Sequence, residues 1–257
     1  MTDDTERLLV VVAHPDDETF GTGSLLAQAK RAGAQVTVAC ATRGEAGEPN
    51  PGSVPQGSAL AEVRERELRT AATMLGVDDV VVWDWGDSGM SGDPQAGSLC
   101  DAEFDDVVAA VAALVEECRP TIVVTLDGSD GHRDHLRVRD ATLAATKATS
   151  WTTSKVYLHC LPRRLMRRWV DELARRSPDA AHLELGELGT PDDQITTVLD
   201  TSDLLDLRER AMAVHASQTP PYDVMPPDLR RDFLTTDALR RVHPPWPDGA
   251  PREHRLF

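Results

Sequence analysis

Short β-branched runs, each ending in a polar loop that leads toward a helical segment, recur through the first half of the chain and restrict its fold more than any other feature. The runs are Leu8 to Ala13, Gln35 to Ala41, Val80 to Trp83 and Thr121 to Leu126. Runs of this length and composition read as buried parallel strands. Between and after them, Thr19 to about Gly33, Ala59 to Leu75, Phe104 to Cys118 and Leu136 to about Ser150 carry apolar residues at helical spacing. The alternation predicts a Rossmann-like, doubly wound α/β fold: a mainly parallel sheet, right-handed crossovers and helices on both faces. All four polar loops then meet at the carboxyl edge of the sheet, where such folds bind ligands.

The second half is less regular. Lys155 to Cys160 and Ile195 to Leu199 read as further strands, and Leu165 to Arg176 and Leu204 to Ser217 as helices. After Thr219, eight prolines argue against much regular structure. We therefore expect one domain over residues 1–218 with its core at 8–150, and a proline-rich extension over 219–257 that wraps the domain or covers the pocket mouth.

A formal charge of -16 argues against nucleic-acid or anionic-membrane partners, which require a basic face. The start, Met1 to Glu6, is acidic with no long apolar segment behind it, so neither a signal peptide nor a membrane span is expected. Cys40, Cys100, Cys118 and Cys160 lack paired spacing and read as free thiols of a cytoplasmic protein.

The chemistry concentrates at two strand ends. His14-Pro15-Asp16-Asp17-Glu18 follows the first run, and Asp127-Gly128-Ser129-Asp130-Gly131-His132-Arg133-Asp134-His135 follows the fourth. Imidazole and carboxylate are the usual ligands of a catalytic zinc, which keeps one position for water. Of His14, Asp17, His132 and His135, we choose His14, Asp17 and His135 as ligands. Iron(II) suits the same donors. Asp16 then adjoins a ligand without being one, as a general base should. His132 is left to stabilise an oxyanion or protonate a leaving amine, with Asp134 orienting it and raising its pKa. Taken singly, the acidic cluster also reads as a helix start and the histidines as surface or capping residues. Gly21-Thr22-Gly23, placed inside a helix, lacks dinucleotide-loop spacing.

Together these motifs resemble the PIG-L/LmbE-like zinc de-N-acetylases, over roughly residues 8 to 150. The resemblance implies the same ligands, Asp16 as base, and His132 assisting with support from Asp134. Thr42-Arg43-Gly44-Glu45-Ala46-Gly47-Glu48 is similar to the family's second loop, and Glu48 matches a sugar-pocket position of the mycothiol branch. By resemblance Arg64 and Asp87 hold sugar hydroxyls; without it they read as an ion-pair residue and a turn residue. Two positions depart from the pattern. Arg133 stands where proline is usual, and Asp130 where the mycothiol branch has a tyrosine near the substrate carbonyl, which weakens an assignment to mycothiol biosynthesis.

His215 reads either as a packed histidine or as a site residue. The basic run Arg163, Arg164, Arg167, Arg168, Arg175 and Arg176 reads as a solvated or acid-paired face, with a homo-oligomer contact or an anionic substrate tail as alternatives. The expected function is hydrolysis of an N-acetyl group on an N-acetylglucosamine-type amino sugar, with no nucleotide cofactor. The alternatives are an amidase of a larger thiol-sugar conjugate or an antibiotic-tailoring deacetylase, and, outside enzymes, a metal- or ligand-binding α/β protein.

Overall fold

The computed structural model describes residues 5–176, 186–223 and 225–257. Residues 1–4 of the acidic start lie outside them. Parallel strands β1 (Arg7–Val12), β2 (Gln35–Cys40), β3 (Asp79–Val82), β4 (Ile122–Leu126) and β5 (Lys155–Cys160) form most of a seven-stranded sheet. Its order is β3-β2-β1-β4-β5-β7-β6, with β6 spanning Thr197–Asp200 and β7 spanning Thr236–His243. Leu8 to Val12 are at most 1% exposed, as a strand covered on both faces requires.

The chain leaves β1 toward β2 and leaves β4 toward β5 in the opposite direction, so β1 and β4 flank the topological switch point. Right-handed crossovers put the two sets of helices on opposite faces. On one, α4 (Phe104–Cys118) packs on α5 (Arg133–Ala148); on the other, α2 (Gly23–Arg31), α3 (Leu60–Leu75) and α7 (Leu205–Met212) pack together. β1 and β4 are paired in register from Leu8 with Ile122 to Val11 with Thr125. The loops that follow them therefore emerge side by side. Among the described residues no helix is long and apolar enough to cross a membrane.

Two expectations are corrected. The segment after Thr219 contains α8 (Pro227–Leu234) and β7, and β7 lies inside the sheet, antiparallel to both β5 and β6. The prolines fall in two clusters, 220–227 and 244–251, which leave 228–243 free to form regular structure, and Pro227 sits in the first turn of α8, where a missing N–H costs nothing. Gly21 and Thr22 lie not inside a helix but at a break between α1 (Asp17–Phe20) and α2. Buried Arg208, paired with buried Asp237, donates to the carbonyls of Phe20 and Gly21 at that break.

Candidate active site

Asp16 follows β1 with φ 129° and ψ -31°, a conformation costly for a residue with a Cβ. Its surroundings enforce it. The Asp16 N–H donates to Glu18 Oε2 at 2.9 Å, and the Asp16 carbonyl accepts from Thr19 and Phe20 to start α1. Arg64, 4% exposed, donates to Asp16 Oδ2 at 3.0 Å, to the Pro15 carbonyl at 2.7 Å and to the Gly44 carbonyl at 2.6 Å. Gly44 and Gly47 are required because a Cβ at either would collide with that guanidinium. Burial pushes the Asp16 carboxyl up to about 6, against the pull of Arg64. Behind it, Glu18 Oε1 lies 2.8 Å from His215 Nε2, and both side chains are fully buried. Burial alone would lower His215, but Glu18, with Asp16 and Glu67, outweighs it and raises its pKa.

His14, Asp17 and His135 meet at the switch point. His14 Nδ1 and His135 Nε2 are 3.3 Å apart, Asp17 Oδ2 is 3.5 Å from the former, and Asp17 Oδ1 is 3.4 Å from the latter. A tetrahedral shell with bonds of about 2.0–2.1 Å has donor–donor edges of about 3.3–3.4 Å; the two imidazole nitrogens are at that spacing, while Asp17 turns a different oxygen to each of them, its Oδ2 also accepting from the Ala13 and His14 N–H groups. The other nitrogen of each imidazole is tied to a carboxylate, His14 Nε2 to Asp134 Oδ2 at 3.2 Å and His135 Nδ1 to Asp130 Oδ2 at 2.5 Å. Carboxylates so placed orient metal-binding imidazoles and make them more basic. Among the described residues, the groupings whose single donors all lie within 4.8 Å of one another are His14-His132-His135 and His14-Asp87-Asp134, and Asp17 belongs to neither.

Asp134 does not play the part expected of it. Its carboxylate holds His14 Nε2, the Ser88 N–H and the Cys100 thiol, and only its backbone N–H meets His132, donating to Nδ1 at 3.2 Å. His132 is the N-cap of α5, and capping turns its ring away from the carboxylate two residues on. Burial and the neighbouring His14 and His135 push His132 down to about 4, the reverse of the expected shift.

Arg64 and Asp87 line the same cavity as these groups, but Glu48 does not: it is exposed beyond the turn closed by Gly47 N–H to the Gly44 carbonyl, and Ala46 and Gly47 take the cavity side. Asp87 Oδ1 accepts from the Gly89 N–H and lies 3.5 Å from His14 Nε2. Sequence reasoning missed Glu18 as a buried support, Asp130 as the partner of His135, and His159. His159 sits at the carboxyl end of β5, the one signal that pointed to it, and burial pushes it down to about 3. The arginine face of α6 (Arg163–Arg176) pairs with acids within the chain, Arg163 with Glu187, Arg164 with Asp192 and Arg168 with Asp228 and Asp232.

An α/β sheet whose carboxyl edge gathers three histidines and several carboxylates, with Asp16 pinned beside them by Arg64, has the form of a hydrolase site. Residues 9–146 match the PIG-L, GlcNAc-PI de-N-acetylase, family model, and the chain belongs to that family. It is 35% identical to a 1D-myo-inositol 2-acetamido-2-deoxy-alpha-D-glucopyranoside deacetylase of Kineococcus radiotolerans, over 89% of this chain and 73% of the relative. Among solved structures, the fold is shared with teicoplanin deacetylase Orf2 (TM-score 0.60, 20% identity, 93% and 99% of the two chains). It is shared equally with the 4-carboxy-2-hydroxymuconate hydratase GalB of Pseudomonas putida KT2440 (TM-score 0.64, 18% identity, 96% and 100%). A hydratase on the same scaffold means that the reaction must be read from the site.

Proposed function

We propose that this protein is a cytoplasmic, metal-dependent de-N-acetylase of an N-acetylglucosamine-type glycoconjugate, with His14, Asp17 and His135 as metal ligands and Asp16 as general base. The observation that carries this reading is Asp16: a half-buried carboxyl pinned by Arg64 beside the His14 and His135 imidazoles and the Asp17 carboxylate, which lie within 3.5 Å of one another. Zinc or iron(II) held there would supply Lewis acidity and acidify water.

The residues then divide the work. Arg64 fixes Asp16 Oδ2, which leaves the other oxygen to take a proton from the attacking water and return it to the departing amine. His132 Nδ1 accepts from the Asp134 N–H, so its proton sits on Nε2. That Nε2–H is the donor we assign to the developing oxyanion. Asp134 and Asp130 hold the ligand imidazoles in place. Asp87 and the Ala46-Gly47 backbone form the sugar side of the cavity. The acidic charge and four free cysteines support the cytoplasmic placement.

The test is release of free amine from N-acetylglucosaminides, beginning with the inositol conjugate, by metal-loaded and chelator-stripped protein. Metal-dependent release is expected. Equal rates with and without metal would refute the reading.

A further inference from the structure

The same cavity, about 560 Å³, extends well beyond the polar groups. On the side away from Asp87 it is walled by Phe20, Met166, Trp169, Leu188, Tyr222 and Phe233, brought together from α1, α6, the segment that precedes β6, the turn after Thr219 and α8. Three of the polar groups along this wall are already engaged, and the imidazole of His159 lines the β5 side beside them. Trp169 Nε1 donates to the Pro221 carbonyl, Tyr222 Oη to the Phe20 carbonyl at 2.7 Å, and Asp127 is held by Ser129 and Thr190. A polyol pressed against its apolar side chains would lose water and regain few partners.

Sheet order decides which end of an amide faces this wall. The loops after β2 and β3, which carry Ala46, Gly47 and Asp87, lie on one side of the β1/β4 switch point; β5, α6 and the α8-β7 unit lie on the other. A trans amide places its nitrogen substituent and its acyl carbon chain on opposite sides. With the sugar toward Asp87, the acyl group enters the apolar arm, where an acetyl methyl would leave most of the wall uncovered.

We infer that the apolar arm is an acyl pocket, and that besides N-acetyl groups the protein removes linear aliphatic acyl chains longer than acetyl from amino-sugar amides. The inference rests on the amide-hydrolase reading above and specifies its substrate. The reaction balances as hydrolysis: the C–N bond breaks, the water oxygen joins the carbonyl carbon, and the products are a fatty carboxylate and a free amine.

The experiment is kcat/KM of the metal-loaded protein on N-acetyl, N-butanoyl, N-hexanoyl and N-octanoyl glucosaminides, with N-acetylglucosamine octyl glycoside as control. Each methylene buried in the arm is expected to raise kcat/KM roughly threefold to fourfold until the arm is filled. Leu173→Asp, on the half-buried rim of the wall, is expected to lower the octanoyl-to-acetyl ratio at least tenfold. Leu161→Asp serves as a second rim variant should the first fail to fold. A flat or falling series with the acetyl substrate still cleaved would overturn the acyl pocket and leave the deacetylase standing. Acceleration by the octyl glycoside alone would overturn the assignment of the arm to the acyl side. No cleavage of any member would overturn the hydrolase reading and the pocket with it.

Discussion

At one end of the cavity, imidazoles and carboxylates within 3.5 Å of one another are buried together, and Asp16 is held at a backbone angle that a β-carbon resists. At the other end, Phe20, Trp169, Tyr222 and Phe233 make the kind of contact that any core makes. The polar end is expensive, because burying charge costs more than its pairing returns unless every partner is present. The apolar end stabilises the fold and shapes the ligand at once. Substitutions should therefore separate: chemistry lost without stability at one end, stability and acyl preference lost together at the other.

The largest effect expected is at Asp16. Asp16→Asn should lower kcat by roughly 10²–10⁴-fold while bound metal and thermal midpoint stay at wild-type values; a near-normal rate with metal in place would remove Asp16 from its role. His135→Ala should leave the purified protein without stoichiometric metal, as read by elemental analysis. Asp130→Asn, which spares the ligand and alters only its support, should weaken metal binding by about 10–100-fold in a chelator competition. Unchanged affinity would mean that the 2.5 Å contact with His135 is incidental.

Two substitutions probe the contrast in stability. Phe233→Ala should destabilise by about 3–5 kcal/mol in urea unfolding, the usual cost of emptying an aromatic site in a core. His215→Ala tests whether the polar end is ever structural. It strands Glu18 in a fully buried position and should cost a comparable amount, about 3–5 kcal/mol, which would break the simple division between the two ends.

The smallest effect is in pH dependence. His159 has a folded pKa near 3, below its unfolded value of about 6.5, so between the two the unfolded chain binds one more proton. Its contribution is complete above that range and is lost as pH falls, at up to about 1.4 kcal/mol per pH unit. His215, raised by Glu18, has the opposite sign: its contribution is complete below about 6.5 and is lost as pH rises through the folded pKa. Urea midpoints from pH 4 to 6 should show a shallower slope for His159→Gln than for wild type, and an identical slope would refute the linkage.

Much of the reaction end was legible in the sequence because its parts are local. A β-branched run that stops at His14-Pro15-Asp16-Asp17 announces both the strand and the loop at its carboxyl end, and the same holds for Leu126 and the loop through His135. Strand alternation then implied that the loops share an edge, and the pairing of β1 with β4 puts them side by side. The exact hydrogen bonds were not legible. Asp134 lies two residues from His132, yet its carboxylate serves His14, because capping geometry at the start of α5 decides which atom faces which ring. Glu48 sits in a family-like loop, yet the Gly44–Gly47 turn leaves it in solvent.

What the sequence determined by itself was the α/β alternation, the four loops at one sheet edge and the identity of the metal-capable residues, since each depends on neighbours a few positions away. Tertiary structure alone decided that β7 enters the sheet between β5 and β6, which carboxylate supports which imidazole, and that an apolar arm opens beside the reacting centre. Its wall draws on residues from 20 to 233, and along the chain each reads as ordinary core. An apolar side chain looks the same in sequence whether it packs against protein or faces an empty cavity, and only the positions of the surrounding segments distinguish the two.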